Sequence, residues 1–107
     1  MTKQHLPVAL CVLNTLISGA SEPWDRGLIS DHATKLGYKV PRVIDLARVA
    51  LESLIAECAE HGAVAVVLPS LDHLSISALK TLQAAELDVA TVYPEIARHD
   101  TVKPGAH

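Results

Sequence analysis

After a short polar start the chain runs into an unbroken apolar stretch, Pro7-Val8-Ala9-Leu10-Cys11-Val12-Leu13. A run of this length without in-out alternation suits a strand covered on both faces, as in a parallel sheet. Ala63-Val64-Ala65-Val66-Val67-Leu68-Pro69 is β-branched and uncharged, and predicts a second such strand. Tyr38 to Ile44 and Leu87 to Tyr93 give two more. Pro41 marks the former as an edge strand, because proline donates nothing to a ladder. Between these runs the apolar spacing changes to three and four. Trp24, Leu28, Ile29, His32 and Leu36 form one helical face, opened by Ser21-Glu22-Pro23 and stopped by Gly37. Ala47, Leu51, Leu54, Ile55 and Cys58 predict a second helix, with Glu52, Glu57 and Glu60 outside and Gly62 at its end. Leu74, Ala78, Leu82 and Ala85 predict a third.

The resulting order is β-α-β-α-β-α-β. It predicts an α/β fold: a three-layer open parallel sheet with right-handed crossovers and strand order 2-1-3-4. Residues 1–95 form the expected domain and 96–107 a C-terminal tail. An open sheet of this kind binds ligands beyond the carboxyl ends of its strands, where the strand order reverses. Here that point lies between the first and third strands. Any site is therefore expected in the loops Asn14–Ser21 and Pro69–Ser77.

Composition narrows the chemistry. Half of the 107 residues are hydrophobic, yet aromatics make up 3% and phenylalanine is absent, so the core must be aliphatic. The formal charge of −3 offers no general footprint for a phosphate backbone. Cys11 and Cys58 fit reduced, buried thiols and a cytoplasmic setting. Leu6 to Ile17 is loosely signal-like, but Asn14 and Thr15 interrupt it, and no run approaches the ~20 residues of a membrane span.

Neither a G-x-G-x-x-G nor a G-x-x-x-x-G-K-[ST] motif occurs. Ser18, Gly19 and Ser21 precede a helix, so their amides form a candidate anion-binding loop. The first strand ends on Asn14 and the third on Pro69-Ser70, so the clustered carboxylates of a phospho-receiver are missing from both tips. Asp72 and His73 are adjacent and should diverge rather than pair. Thr15 and Ser18 carry hydroxyls with no base or arginine near them in sequence. The six histidines lack a repeating spacing, so neither a metal nor a cofactor is expected. Trp24 is expected to pack in the core, and His32 to sit at its edge.

At the third strand the pattern becomes specific. Gly62 to Leu68, followed by Pro69-Ser70-Leu71-Asp72-His73-Leu74-Ser75-Ile76-Ser77, resembles the catalytic domain of the resolvase/invertase (serine recombinase) family. In that family a hydrophobic strand runs into a Leu-Asp-Arg-Leu-Gly-Arg-Ser loop. Val8 to Thr15 resembles the family's first strand, Leu36-Gly37-Tyr38-Lys39-Val40 the turn into its second, and Leu87 to Glu95 its fourth. The departures fall on the chemistry. The nucleophilic serine corresponds to Asn14, and the arginine two residues before it to Val12. The two arginines of the Asp72 loop correspond to His73 and Ile76, while Leu71, Asp72, Leu74 and Ser77 are kept.

An amide cannot attack a phosphodiester, and Val12 and Ile76 cannot clamp a phosphate or stabilise developing charge. The resemblance therefore implies a resolvase-like domain without strand-cleaving activity, with Asn14, Asp72 and His73 as a vestigial pocket. Asp72 is expected to cap the following helix or hold its loop. About a dozen residues follow Glu95, too few for the family's long dimerising helix and helix-turn-helix. DNA reading by this chain alone is therefore not expected. A protein partner or self-association is the expected mode of action. A small-ligand or anion-binding module, and an active recombinase domain, are the alternatives.

Overall fold

The computed structural model describes residues 6–93. They form a four-stranded, wholly parallel sheet in the order β2-β1-β3-β4, as the sequence pattern predicts. The strands are β1 (Val8–Leu13), β2 (Val43–Asp45), β3 (Ala63–Leu68) and β4 (Asp88–Thr91). The helices are α1 (Thr15–Ser18), α2 (Glu22–Lys35), α3 (Leu51–His61) and α4 (Ile76–Ala84). The expected boundary of the domain at residue 95 and the tail beyond it lie outside the described residues.

Alternation along β1 sorts the core into two layers. Leu10 and Val12 face α3 and α4 with Ile44, Leu54, Cys58, Val66, Leu68, Leu82 and Val89. Ala9, Cys11 and Leu13 face α2 with Ile29, Ala33, Ala65, Val67 and Ala90. Ala9, Ala33, Ala65 and Ala90 keep the α2 side small. The opposite side carries the bulk, and each fully buried leucine there contributes roughly 1.5–3 kcal/mol. Cys11 and Cys58 are both free and buried, one in each layer.

The second strand is shorter than its apolar run suggests. Lys39 makes an isolated bridge to Val8, and the ladder resumes only at Val43 after Pro41. Pro41 thus interrupts the edge strand it was expected to mark. The second helix starts at Leu51, leaving Ala47 in an exposed turn. Helix α3 ends on Gly62 in the left-handed conformation, φ +68°. Helix α4 turns at the equivalent point through Glu86, φ +63°, a conformation that costs a residue with a Cβ.

Two expectations for the first helix need correction. The segment Asn14–Ser21 is not a loop: it contains α1 and a 3₁₀ turn at Gly19–Ser21. Trp24 is 69% exposed rather than packed in the core. The buried positions of α2 are Asp25, Ile29, His32 and Ala33, so Trp24 falls on the flank of that stripe. His32 is buried at the core edge as expected, its Nε2 without a protein partner.

Candidate functional site

The strand order reverses between β1 and β3, and an open parallel sheet places its site at the carboxyl ends of those strands. A cleft of about 280 Å³ opens there. Asn14, His73 and Ser75 supply its polar lining, and Leu46, Val49, Ala50, Leu51, Leu74 and Ala78 its apolar walls. Asn14 and His73, far apart in sequence, are joined directly: the Asn14 backbone N–H donates to His73 Nδ1 at 2.9 Å. The Asn14 side chain turns the other way. Its Oδ1 accepts from the Leu16 N–H at 2.9 Å and caps α1, which is what starts a helix at this point.

Asp72 does not join them. It is exposed, in the 3₁₀ turn Leu71–His73, outside the lining of the cleft. Nor does it cap the following helix. Ser75 does so, its Oγ accepting from the Ala78 N–H at 3.0 Å. Asp72 and His73 diverge as expected, one to solvent and the other buried. Burial pushes the His73 imidazole below the ordinary histidine range, against the opposing pull of Asp25 and Asp72. The Asn14 hydrogen bond acts in the same direction, since it needs an unprotonated Nδ1. The neutral ring therefore carries its proton on Nε2.

Two carboxylates not singled out from the sequence lie beside α1, outside the lining of the cleft. Asp45, the last residue of β2, reaches across to β1. It accepts from the Thr15 N–H at 3.1 Å, the Thr15 hydroxyl at 2.9 Å and the Ala47 N–H at 2.9 Å. Arg48 lies 3.6 Å from it. Desolvation raises the Asp45 carboxyl, but the bonds from Ala47 and Thr15 and the nearby Arg48 together hold it below the ordinary range. Asp25 of α2 accepts from the Ser18 hydroxyl at 2.7 Å, both residues being buried. So Thr15 and Ser18 each do have an acid beside them, brought by the fold. The parallel pairing of Leu13 with Asp45 was the signal for the first.

In the candidate anion-binding loop of Ser18, Gly19 and Ser21, both serine hydroxyls bond within the fold. The Ser18 hydroxyl is spent on Asp25, and the Ser21 hydroxyl donates to the Ser18 carbonyl at 2.9 Å. Gly19 turns the chain between α1 and α2 at φ +55°, ψ −127°, a conformation open to glycine but not to residues with a Cβ. Among the described residues no cluster of three or more metal-ligating side chains forms. No described helix is long and apolar enough to cross a membrane.

A phosphoryl-transfer site needs cations where charge develops. Among the described residues, each arginine faces a carboxylate instead: Arg26 faces Glu22, Arg42 faces Glu57 and Arg48 faces Asp45. Lys35, Lys39 and Lys80 are exposed and line no part of this cleft.

The sequence matches no protein-family model and no curated protein. Among solved structures the chain is similar to the crystal structure of the C-terminal catalytic domain of ISC1926 TnpA, an IS607-like serine recombinase. The two superpose with a TM-score of 0.60 at 18% identity, over 78% of this chain and 68% of that one. The likeness agrees with the resemblance in the sequence, and the fold is that of a resolvase-like serine recombinase catalytic domain.

Proposed function

We propose that this chain is a resolvase-fold domain that does not break phosphodiester bonds and acts by binding a protein partner or a second copy of itself. The observation that carries the reading is Asn14. At the tip of β1 it presents an amide, not a hydroxyl, and both of its bonded groups serve the fold: Oδ1 caps α1 and N–H anchors His73. Of the hydroxyls near it, those of Thr15 and Ser18 donate to Asp45 and Asp25, and Ser75 Oγ caps α4. A carboxylate beside a hydroxyl could in principle act as its base. Among the described residues no lysine or arginine lines the cleft to meet a reacting phosphate, so the negative charge of both groups would repel it instead.

Binding is supported by what the elbow between α1 and α2 exposes. Leu16 is 82% exposed, Ile17 53% and Trp24 69%. These are large apolar side chains, and tryptophan is the residue type most often found as an interface anchor. The test is twofold. Incubation with supercoiled plasmid should yield neither nicked product nor protein covalently attached to DNA. Light scattering and a pull-down should detect self-association or a partner, and Trp24→Ala should weaken it. Cleavage lost in Thr15→Val or Ser18→Ala would overturn the non-cleaving reading. A strictly monomeric chain whose captured partners ignore Trp24→Ala would overturn the binding role of the elbow.

A further inference from the structure

We propose that the cleft at the ends of β1 and β3 is a docking groove for a basic amphipathic helix of another protein. Aliphatic side chains of that helix enter the cleft, and its lysines or arginines meet Glu52 and Asp72. The inference rests on the protein-binding reading and gives the partner its chemistry, at a surface other than the elbow.

The walls select an aliphatic occupant. They come from residues 46–51 and 73–78, with Asn14 at the tip of β1. Leu46, Val49, Leu51, Leu74 and Ala78 are only half-buried, so the fold leaves part of their apolar surface uncovered. At about 280 Å³ the cleft takes side chains, while the helix that carries them, about 10 Å across, lies over its mouth. The apolar surface continues past that mouth. Ile76 follows the lining residue Ser75 and is 75% exposed, and the exposed Leu16 is bonded through its N–H to Asn14.

The charges around the walls select an occupant that carries cations. Glu52 follows Leu51 in the first turn of α3, and Asp72 precedes His73 in the 3₁₀ turn. Both are exposed, and neither is in an ion pair among the described residues. Arg48, the cation of the same wall as Glu52, faces Asp45 at 3.6 Å. Three carboxylates thus stand against one guanidinium around apolar walls. Such a surface attracts lysine and arginine and repels a nucleic-acid backbone.

The sheet selects a helix over a strand. β1 and β3 are its central strands, each paired on both sides, so no free edge reaches the cleft for an added strand. A helix with anchors at i, i+3, i+4 and i+7 docks without one. A second copy offers no such helix among the described residues. Helix α3 carries three glutamates and no lysine or arginine, α4 has a single lysine, and α2 sets Arg26 on its own Glu22.

The experiment is a ¹H–¹⁵N NMR titration of the full chain with three synthetic peptides of about 15 residues. The first carries leucine at i, i+3, i+4 and i+7, with lysine and alanine elsewhere. The second has glutamate for lysine, and the third serine for leucine. The first should give saturable shifts at the Asn14, Leu51, His73 and Ser75 amides, and the other two should each bind about tenfold or more weakly. Glu52→Gln and Asp72→Asn should each weaken the first about two- to fivefold, as for exposed ion pairs, and added salt should erase that difference. Ala78→Met, which fills the cleft, should weaken it about tenfold or more. Should that variant fail to fold, Ala50→Met, at an exposed position of the opposite wall, takes its place. Failure of these titrations leaves the elbow reading standing, since that reading is judged by capture and self-association of Trp24→Ala. The docking proposal is overturned by non-saturable shifts with the first peptide, or by equal binding of the second or third. It is also overturned by a short DNA duplex that shifts the same amides as strongly, by concentration-dependent shifts at those amides without peptide, or by unchanged affinity in the folded charge or cleft-filling variants.

Discussion

Replacing Asp45 with alanine removes the clasp that ties the end of β2 to the start of α1. Its carboxylate accepts from two backbone N–H groups and one hydroxyl, all between 2.9 and 3.1 Å. Hydrogen bonds to a charged group contribute about 1.5–3 kcal/mol each, but Thr15 is half-buried and Ala47 exposed, so water can reach the released donors. The Arg48 pair adds little, because that side chain is 84% exposed. A net loss of about 2–3 kcal/mol follows, or a fall of roughly 10–20 °C in Tm for a domain of this size. Thermal and urea unfolding followed by circular dichroism measure it directly. The pH dependence is a second check. The Asp45 carboxyl is held below its unfolded value of about 3.9. Its contribution is therefore complete above that value and disappears as pH falls through the folded value. The gap between wild type and Asp45→Ala should be widest near neutrality and narrow below about pH 4. A loss under about 0.5 kcal/mol at neutral pH, within the range of ordinary surface substitutions, would refute the reasoning. So would a gap that does not change on acidification.

Other outcomes follow from the same structure. Leu54→Ala, fully buried between α3 and the sheet, should cost about 2–5 kcal/mol in urea unfolding. Glu86→Gly should stabilise the fold by roughly 1 kcal/mol, since it places glycine at a left-handed helix end. Burial raises the Cys11 thiol to about 11 and also raises that of Cys58, so neither should react with a thiol reagent at neutral pH until urea unfolds the chain. His73, held below its unfolded value by burial, should add a loss of stability as pH falls below about 6.5, absent in His73→Phe.

The scaffold was legible because its signals are local and repeated. The continuous apolar runs of β1 and β3 require cover on both faces, and the intervening helical spacing supplies it. That combination leads to a parallel sheet and to a site between those two strands. The side chains at the site were legible only in part. Asn14 and His73 stood out against the resolvase pattern, and they do meet. Asp72 carried the same pattern but points to solvent, because Ser75 supplies the cap that α4 needs. Asp45 and Asp25 escaped notice because their roles are set by contacts across the fold. Asp45 matters through the strand pairing that brings it to Thr15, and Asp25 through the turn that folds Ser18 back on α2. Trp24 misled for a related reason. Its spacing fits the apolar stripe of α2, but Asp25 takes the buried first-turn position, one residue further round the helix.

The most direct measurement of the central claim is mass spectrometry of the protein after incubation with supercoiled DNA and nuclease digestion, for wild type and Asn14→Ser. Both should return the unmodified mass, because restoring a hydroxyl at position 14 restores none of the cations the reaction needs. A nucleotide linked to Thr15, Ser18, Ser75 or the introduced serine would contradict the account.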